Sequence, residues 1–472
     1  MCYNRFMITH IHYISIVSVI ILVVFAGVYS TRFVRTAEDF SVGGRQIGPS
    51  LVGGFLIGAF IGGTSTIGTA QLAFQYGISA IWFTLGGGLA CFVLGLFLVE
   101  PLRFRKVDTV AQYLAAAYGE SVRPWVAIYT SAGMFIQVAA QGLSAVPVLT
   151  SLFPVSPQLA AVFFTLALLI FIMFGGVWGA SLIGLIKLFL IYAVLFIAGL
   201  TSYHLLGGFQ GARQAFPDGA WFSLFPQGVG KELASGFSVI VGFISTQTYL
   251  QPVFSAKNAR SARLGVFLAG LLIPIAGLIA TLIGLYMRTV RPEIEPGSAL
   301  PLFLAGHLNP WLSGVAFGTL LISLFMTGAA LTLGISTVLT HDIYCRLRPL
   351  AGDRKILLSS RVMVVLVSMF SLLFVLINIK TLILKWAFLS MTLRGVTVFA
   401  PLVAAVFAAG KILPGAGLRA VIIAPLMALL WAFIFPRSVD PLYVGMGLSV
   451  AIMLTGSHFG RGKWDVRREI EG

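Results

Sequence analysis

Apolar residues run along this chain in blocks of about twenty, and the polar residues fall mostly between the blocks. A helix of ~20 apolar residues matches the thickness of a bilayer's hydrocarbon core. Thirteen such spans are read, at 11–31, 48–74, 78–100, 123–149, 157–178, 180–204, 234–251, 262–286, 310–340, 360–378, 381–408, 417–435 and 439–457. The second is long and crowded with Gly58, Gly62, Gly63 and Gly68, which predicts a break inside it. The seventh carries a polar knot, Ser245-Thr246-Gln247-Thr248, a second candidate break. Segment 298–308 is apolar but too short to cross, and 205–233 is the longest connection. The pattern predicts an all-α membrane protein with one transmembrane domain over 1–472.

Composition supports the same solvent. Of the 472 residues, 58% are hydrophobic and 10% charged, against about 25% charged in a soluble domain. A net charge of +16 would suggest nucleic acid in a soluble protein. Here no RNP-like motif and no basic helix with interleaved aromatics appears, so nucleic-acid binding is excluded. The basic residues instead set orientation. With the N-terminus outside, the inner loops hold 21 of the 31 Lys and Arg and the outer loops hold 7. The remaining three, Lys187, Lys385 and Arg394, fall inside spans. That bias places the chain in a cytoplasmic (inner) membrane with its C-terminus in the cytoplasm.

Little else in the chain offers chemistry. Cys2, Cys91 and Cys345 lack CxxC partners, the six His are scattered, and no HExxH, Walker A or GxSxG motif occurs. An enzyme of the membrane would need buried carboxylates or clustered His. Arg5 ahead of the apolar run Ile14–Val28 has the look of a signal peptide, but no small-x-small cleavage site follows. Residues 11–31 are therefore taken as an extra first helix; whether 1–31 is retained stays open.

Several motifs stand in a shared order. Glu38-Asp39-Phe40-Ser41-Val42-Gly43-Gly44-Arg45 precedes the second span, and Val107-Asp108-Thr109-Val110-Ala111-Gln112-Tyr113-Leu114 precedes the fourth. Gly175-Gly176-Val177 precedes the sixth. Gln247, Gln251, Ala256 and Lys257 fall on one conserved-type stretch, with Thr246, Thr248 and Pro252 in place of its Asp, Tyr and Arg. Ser336-Thr337 leads to Thr340-His341-Asp342-Ile343-Tyr344. In order and spacing these resemble the sodium:solute symporter family, which includes proline, sugar and pantothenate symporters. The resemblance implies a LeuT-type fold of two inverted five-helix repeats, 48–204 and 234–408, with two further helices over 417–457. The first helix of each repeat would be broken at mid-membrane where substrate binds.

The resemblance also implies a sodium site between the broken second span and the ninth. Carried over, its carbonyls fall on Gly58, Ile61 and Ser323, and its hydroxyl pair on Met326 and Thr327. A thioether is a poor ligand for a hard cation. In the sixth span, the family's Asp and the Gln three residues on are here Gly184 and Lys187. Two readings stand for Lys187. It snorkels to the inner interface, or, as in proton-coupled transporters of this architecture, its ammonium occupies the sodium position and burial lets it titrate. For the polar cluster Thr64, Ser65, Thr66 and Thr69, and for Ser245, Thr246, Gln247 and Thr248, the readings are cavity lining for substrate or helix packing. Arg394, mid-way along the eleventh span, either attracts an anionic group by a bidentate pair or caps broken-helix carbonyls.

The resulting expectation is a secondary active cation:solute symporter for a small organic solute working by alternating access. It is sodium-coupled by resemblance, or proton-coupled or ion-independent if Lys187 replaces sodium. No cofactor beyond Na+ or H+ and no obligate protein partner is implied. A membrane-embedded solute sensor is a second alternative, since some family members are fused to signalling kinases; only about fifteen residues follow the last span here. Phe60, Ser65 and Thr248 replace family residues near the sugar or amino-acid site, so substrate identity, stoichiometry and oligomeric state do not carry over.

Overall fold

The computed structural model describes residues 8–30, 46–104, 107, 109–172, 177–350, 352–435 and 439–458. The stretch Glu38–Arg45, Asp108, Gly175, Gly176 and the basic residues of 459–468 lie outside these, as do Cys2 and Arg5. The described residues are nearly all helical, with one isolated parallel bridge, Ile47 to Ala256.

Fifteen helices form the frame: α1 His10–Ser30, α2 Pro49–Phe60, α3 Thr69–Tyr76, α4 Trp82–Val93, α5 Arg123–Leu152, α6 Pro157–Ile172, α7 Val177–Leu205, α8 Val229–Ile244, α9 Gln247–Ser255, α10 Ala259–Val290, α11 Pro310–Leu339, α12 Asp353–Asn378, α13 Ile383–Phe407, α14 Pro414–Ile434 and α15 Pro441–His458. Each predicted span meets one or two of them. By length and hydropathy, however, eight described helical stretches suffice to cross a membrane, or nine with the bent pair α8–α9; four shorter apolar helices accompany them. A count of thirteen crossings therefore does not follow from length alone, because breaks divide the apolar runs. The predicted span 234–251 is wider, 229–255, and the connection 205–233 holds a short helix, Gly208–Ala215. Lys385, read within a span, is exposed near the start of α13.

Local signals explain the helix ends. Asn258 and Asn309 accept hydrogen bonds from Ser261 N and Leu312 N, capping α10 and α11. Thr109 and Gln112 form a reciprocal capping box on the short helix Val110–Tyr118. Gly77, at φ 75°, turns the chain between α3 and α4, and a side chain there would strike the Trp221 carbonyl.

The core is built from helix faces. The 30-residue α5 packs along α11 and α13, and α10 lies against α2, α3 and α4. Helix α7 packs on α2, and α1 lies along α11 and α7. Helix α1 sits so close that a side chain at Gly314 would meet the His12 carbonyl at 2.6 Å. On one face, Lys257 N donates to the Ile47 carbonyl (2.9 Å), Ile47 N donates to Ser255 O (3.2 Å), and Arg103 donates to the carbonyls of Val253 and Phe254 (3.0 and 3.1 Å). The Ile47 bonds tie the start of α2 to the end of α9, and the Arg103 bonds tie the segment after α4 to it.

Candidate functional site

Two breaks face the middle of the bundle. The first separates α2 from α3. Ile61 leaves the helix at φ −80°, ψ 96°, and Thr64–Gly68 resumes it as a π-helical turn. The second separates α8 from α9 at Ser245–Thr246, where the axis bends by 45°. Both breaks free backbone groups that need partners in an apolar surrounding. Ser65 Oγ donates to Phe60 O at 2.7 Å and Thr66 Oγ1 to Gly62 O at 2.9 Å. Ser245 and Thr246 do the same for Val241 O and Gly242 O, each at 2.6 Å.

Helix α5 supplies the outer support of the first break. Gln141 Oε1 accepts from Gly63 N at 2.8 Å, while its Nε2 donates to Thr64 Oγ1 at 3.3 Å. Gln137 Nε2 donates to the same hydroxyl at 3.2 Å, and its Oε1 is buried without a partner. Gly63 admits no side chain: a Cβ would lie 2.2 Å from Ser144 Cβ.

Lys187 points inward. Its side chain is fully buried, and Nζ donates to Gly58 O at 2.6 Å, Thr327 Oγ1 at 3.3 Å and Ser323 O at 3.4 Å. No contact to Ile61 is made. The geometry depends on glycine. A Cβ at Gly184 would lie 2.7 Å from Gly54 O, and one at Gly58 would lie 3.0 Å from Gly184 Cα. Helices α7 and α2 thus meet backbone to backbone, and Lys187, one turn beyond Gly184, reaches the Gly58 carbonyl. Met326 closes the space with its methyl near Gly58 and Gly184, and packs with Val19 and Val23 of α1. Ser323 Oγ, on the same helix, has no hydrogen-bond partner.

Arg394 of α13 is fully buried at the second break. Nε donates to Ser390 O (3.1 Å), one terminal nitrogen to Thr246 Oγ1 (2.8 Å), and the other to Ser390 Oγ (2.9 Å) and Met391 Sδ (3.2 Å). The guanidinium also lies close enough to Tyr249 to interact with it electrostatically. None of these is a carboxylate. Gly133 makes room for the guanidinium stem, since a Cβ there would lie 2.6 Å from Arg394 Cγ.

The remaining sequence candidates divide. Thr64 and Thr246 face the breaks and receive side-chain donors. Thr69 Oγ1 lies 3.4 Å from Thr64 O. Gln247 Oε1 accepts from Val110 N at 3.0 Å, holding the short helix Val110–Tyr118, and Thr248 Oγ1 lies 4.0 Å from Met134 Sδ. Sequence reasoning missed Gln137, Gln141 and, apart from Phe60, the aromatic residues about the breaks. The two glutamines and Met134 share one face of α5 at i, i+3 and i+7, and polar residues within an apolar span are the signal for them.

A family model described as the sodium:solute symporter family matches residues 40–423. The chain belongs to that family. The "Uncharacterized symporter YwcA" of Bacillus subtilis (strain 168) is 24% identical over 356 residues, covering 71% of this chain and 68% of the relative. The structure of a Na+-coupled sialic acid symporter in a substrate-bound outward-open state matches with TM-score 0.81 at 15% identity, over 96% of this chain and 98% of that one. Mhp1, a nucleobase-cation-symport-1 family transporter in a closed conformation, matches with TM-score 0.58 at 13% identity, over 90% and 97%. A manganese transporter of Eremococcus coleocola matches with TM-score 0.52 at 16% identity, over 89% and 94%. At such identities the likeness establishes the fold, which is of the LeuT type. As a sodium:solute symporter family member the chain is a multi-pass secondary active symporter of a small solute, and not an enzyme.

Proposed function

We propose that this symporter carries a small organic solute without sodium, because the Lys187 ammonium takes the place that the coupling ion would hold. One observation carries the reading: Nζ lies 2.6 Å from Gly58 O, with Thr327 Oγ1 and Ser323 O also in reach. Three of the five positions that the family resemblance assigns to sodium thus already face a cation. Met326 offers sulfur where a second hydroxyl would be needed. With Lys187 in this pose the residues do not fit a bound sodium ion. Family membership by itself favours sodium coupling; the ammonium argues against it.

The mechanism follows from the charge. The halves 48–204 and 234–408, each opening on a broken helix, act as the moving repeats, and Lys187 joins α7 of the first to α2 and to α11 of the second. Protonated, it holds the three together through Gly58, Ser323 and Thr327. Loss of the proton removes one of its three N–H donors and the charge at once, loosening α11 from α2. A proton on Lys187 is then the coupling ion. The solute enters between the breaks, near Thr64, Thr246, Thr248 and Arg394, and the buried guanidinium favours an anionic group. The protein resides in the cytoplasmic membrane, N-terminus outside and C-terminus inside, as the distribution of Lys and Arg indicates.

The test compares melting of the purified protein in sodium chloride and in choline chloride, and as a function of pH. Wild type is expected to show no sodium-specific rise, with a pH dependence that Lys187→Ala removes. A sodium-specific stabilisation of wild type refutes the proposal and returns sodium as the coupling ion.

A further inference from the structure

The two breaks are joined by an aromatic cluster that neither the ion nor the backbone hydrogen bonds require. Phe60 ends α2, Phe83 lies on α4, Phe243 precedes the second break on α8, and Tyr249 follows it on α9; all four are buried. Phe60 and Phe83 stack at 5.1 Å with planes 18° apart, and Phe243 and Tyr249 at 4.5 Å with planes again 18° apart. Between the two pairs the geometry changes. Phe60 meets Phe243 at 53° and Tyr249 at 60°, with centroids 5.5 and 5.7 Å apart. Gly87 leaves room for the Phe60 ring, since a Cβ there would fall 2.6 Å from its Cζ.

The pairs therefore meet along a seam that joins the first break, with its neighbour α4, to the second break. A flat ring entering the seam stacks on one pair and meets the other at a tilt, and both offset-stacked and edge-on ring contacts add attraction beyond the area buried. The polar end of the seam is equally specific. The Tyr249 ring carries its hydroxyl to Arg394. A ring lying on Tyr249, with an anionic group in the direction of that hydroxyl, reaches the same guanidinium. Arg394 is fully buried and its protein partners are all neutral. A buried cation without an anion is costly, and a carboxylate arriving with the solute supplies one. Lys187, the other buried cation of this region, faces Gly58, Ser323 and Thr327 instead, so the seam offers one positive group.

We infer that the solute is an aromatic monocarboxylate, with the carboxylate on the ring or one carbon away from it. This rests on the reading of the chain as a solute carrier with its site between the breaks, and it is independent of which ion drives transport. The ring seats between the Phe60–Phe83 and Phe243–Tyr249 pairs, and the carboxylate accepts from Arg394. Amines are repelled by the guanidinium, and neutral amides leave its charge uncompensated.

The test is calorimetric titration of the purified full-length protein with choline salts of benzoate, phenylacetate and cyclohexanecarboxylate, and with benzamide and benzylamine. At least one of the aryl acids is expected to bind. Cyclohexanecarboxylate is expected to bind about 3- to 10-fold more weakly, the range that ring-specific contacts supply, and benzamide and benzylamine not measurably. Phe60→Leu is expected to erase the preference for the aryl ring, and Arg394→Gln the preference for the acid. No heat from either aryl acid, equal binding of the cyclohexane acid, or binding of benzamide as tight as benzoate overturns the inference. The wild-type series decides even if a variant does not fold. Repeating it in sodium separates the two proposals: a sodium requirement with the same ligand ranking refutes the Lys187 reading alone, and a lost ranking refutes this one alone.

Discussion

Replacing Gln141 by Leu tests the support of the first break. The amide accepts the Gly63 N–H at 2.8 Å and donates to Thr64 Oγ1 at 3.3 Å, and it is fully buried. Leucine has nearly the same volume, so the cavity term is small. What remains is an orphaned backbone N–H, which costs about 1–3 kcal/mol, and one lost net hydrogen bond of about 1 kcal/mol. The sum is about 2–4 kcal/mol. Gln137→Leu is the control on the same helix face. Its amide donates to the same hydroxyl at 3.2 Å, but Oε1 has no partner, and Thr64 keeps Gln141. Removing a buried polar group that is half unsatisfied is close to neutral. In lipid nanodiscs, followed by intrinsic fluorescence, Gln141→Leu is expected to lower the melting temperature by about 3–5 °C, taking ~2 °C or less per kcal/mol for a chain of this length. Gln137→Leu is expected to leave it within ~1 °C. Equal losses of stability in the two variants, or none in Gln141→Leu, would refute this account of the break.

Three further outcomes are expected. Arg123→Leu strips the fully buried Asp342 carboxylate of its cation at 2.6 Å, and is expected to cost about 3 kcal/mol; adding Asp342→Leu should restore most of it in the same melting assay. His307, on the short non-spanning helix Ala299–His307, is held below its ordinary range by burial while its ring bonds Tyr286 at 2.9 Å. The unfolded chain then binds the extra proton, so this contribution to stability is complete above pH ~6.5 and is lost as pH falls below it; His307→Gln should narrow the difference between melting temperatures at pH 7.5 and 5.5. Reporters fused at the C-terminus and inserted in Gly208–Ala215 should label opposite sides of the membrane, and labelling of one side by both would reject the N-out, C-in orientation.

Both breaks were legible in the sequence, since glycines and hydroxyls interrupting an apolar run have few other uses in lipid. Gly62–Gly63 and Ser245–Thr246 lie where the pattern predicts. Lys187 and Arg394 announced themselves because a buried cation is expensive. The partners of the hydroxyls were not legible. Ser65 and Thr66 satisfy carbonyls of Phe60 and Gly62 across the first break, and Ser245 that of Val241 at the end of α8, choices set by local dihedral angles rather than by residue type. Gln137 and Gln141 carry no motif, and their role exists only because α5 lies across the break 78 residues earlier in the chain. Phe60 was marked only through the family resemblance, and Phe83, Phe243 and Tyr249 were hidden by abundance: among 38 Phe and 13 Tyr, nothing in composition marks the ones that meet. The number of crossings is not settled by length, because the first break leaves Pro49–Phe60 short while Thr64–Phe104 runs on as one 41-residue stretch.

The end of α9 is latched from two sides. Two backbone hydrogen bonds hold it to Ile47, and two from Arg103 hold it to the segment that follows α4. At about 1 kcal/mol net apiece, the four together resist opening of that face by roughly 4 kcal/mol. A movement that parts α9 from both neighbours has to supply this much, and shortening Arg103 would remove about half of it.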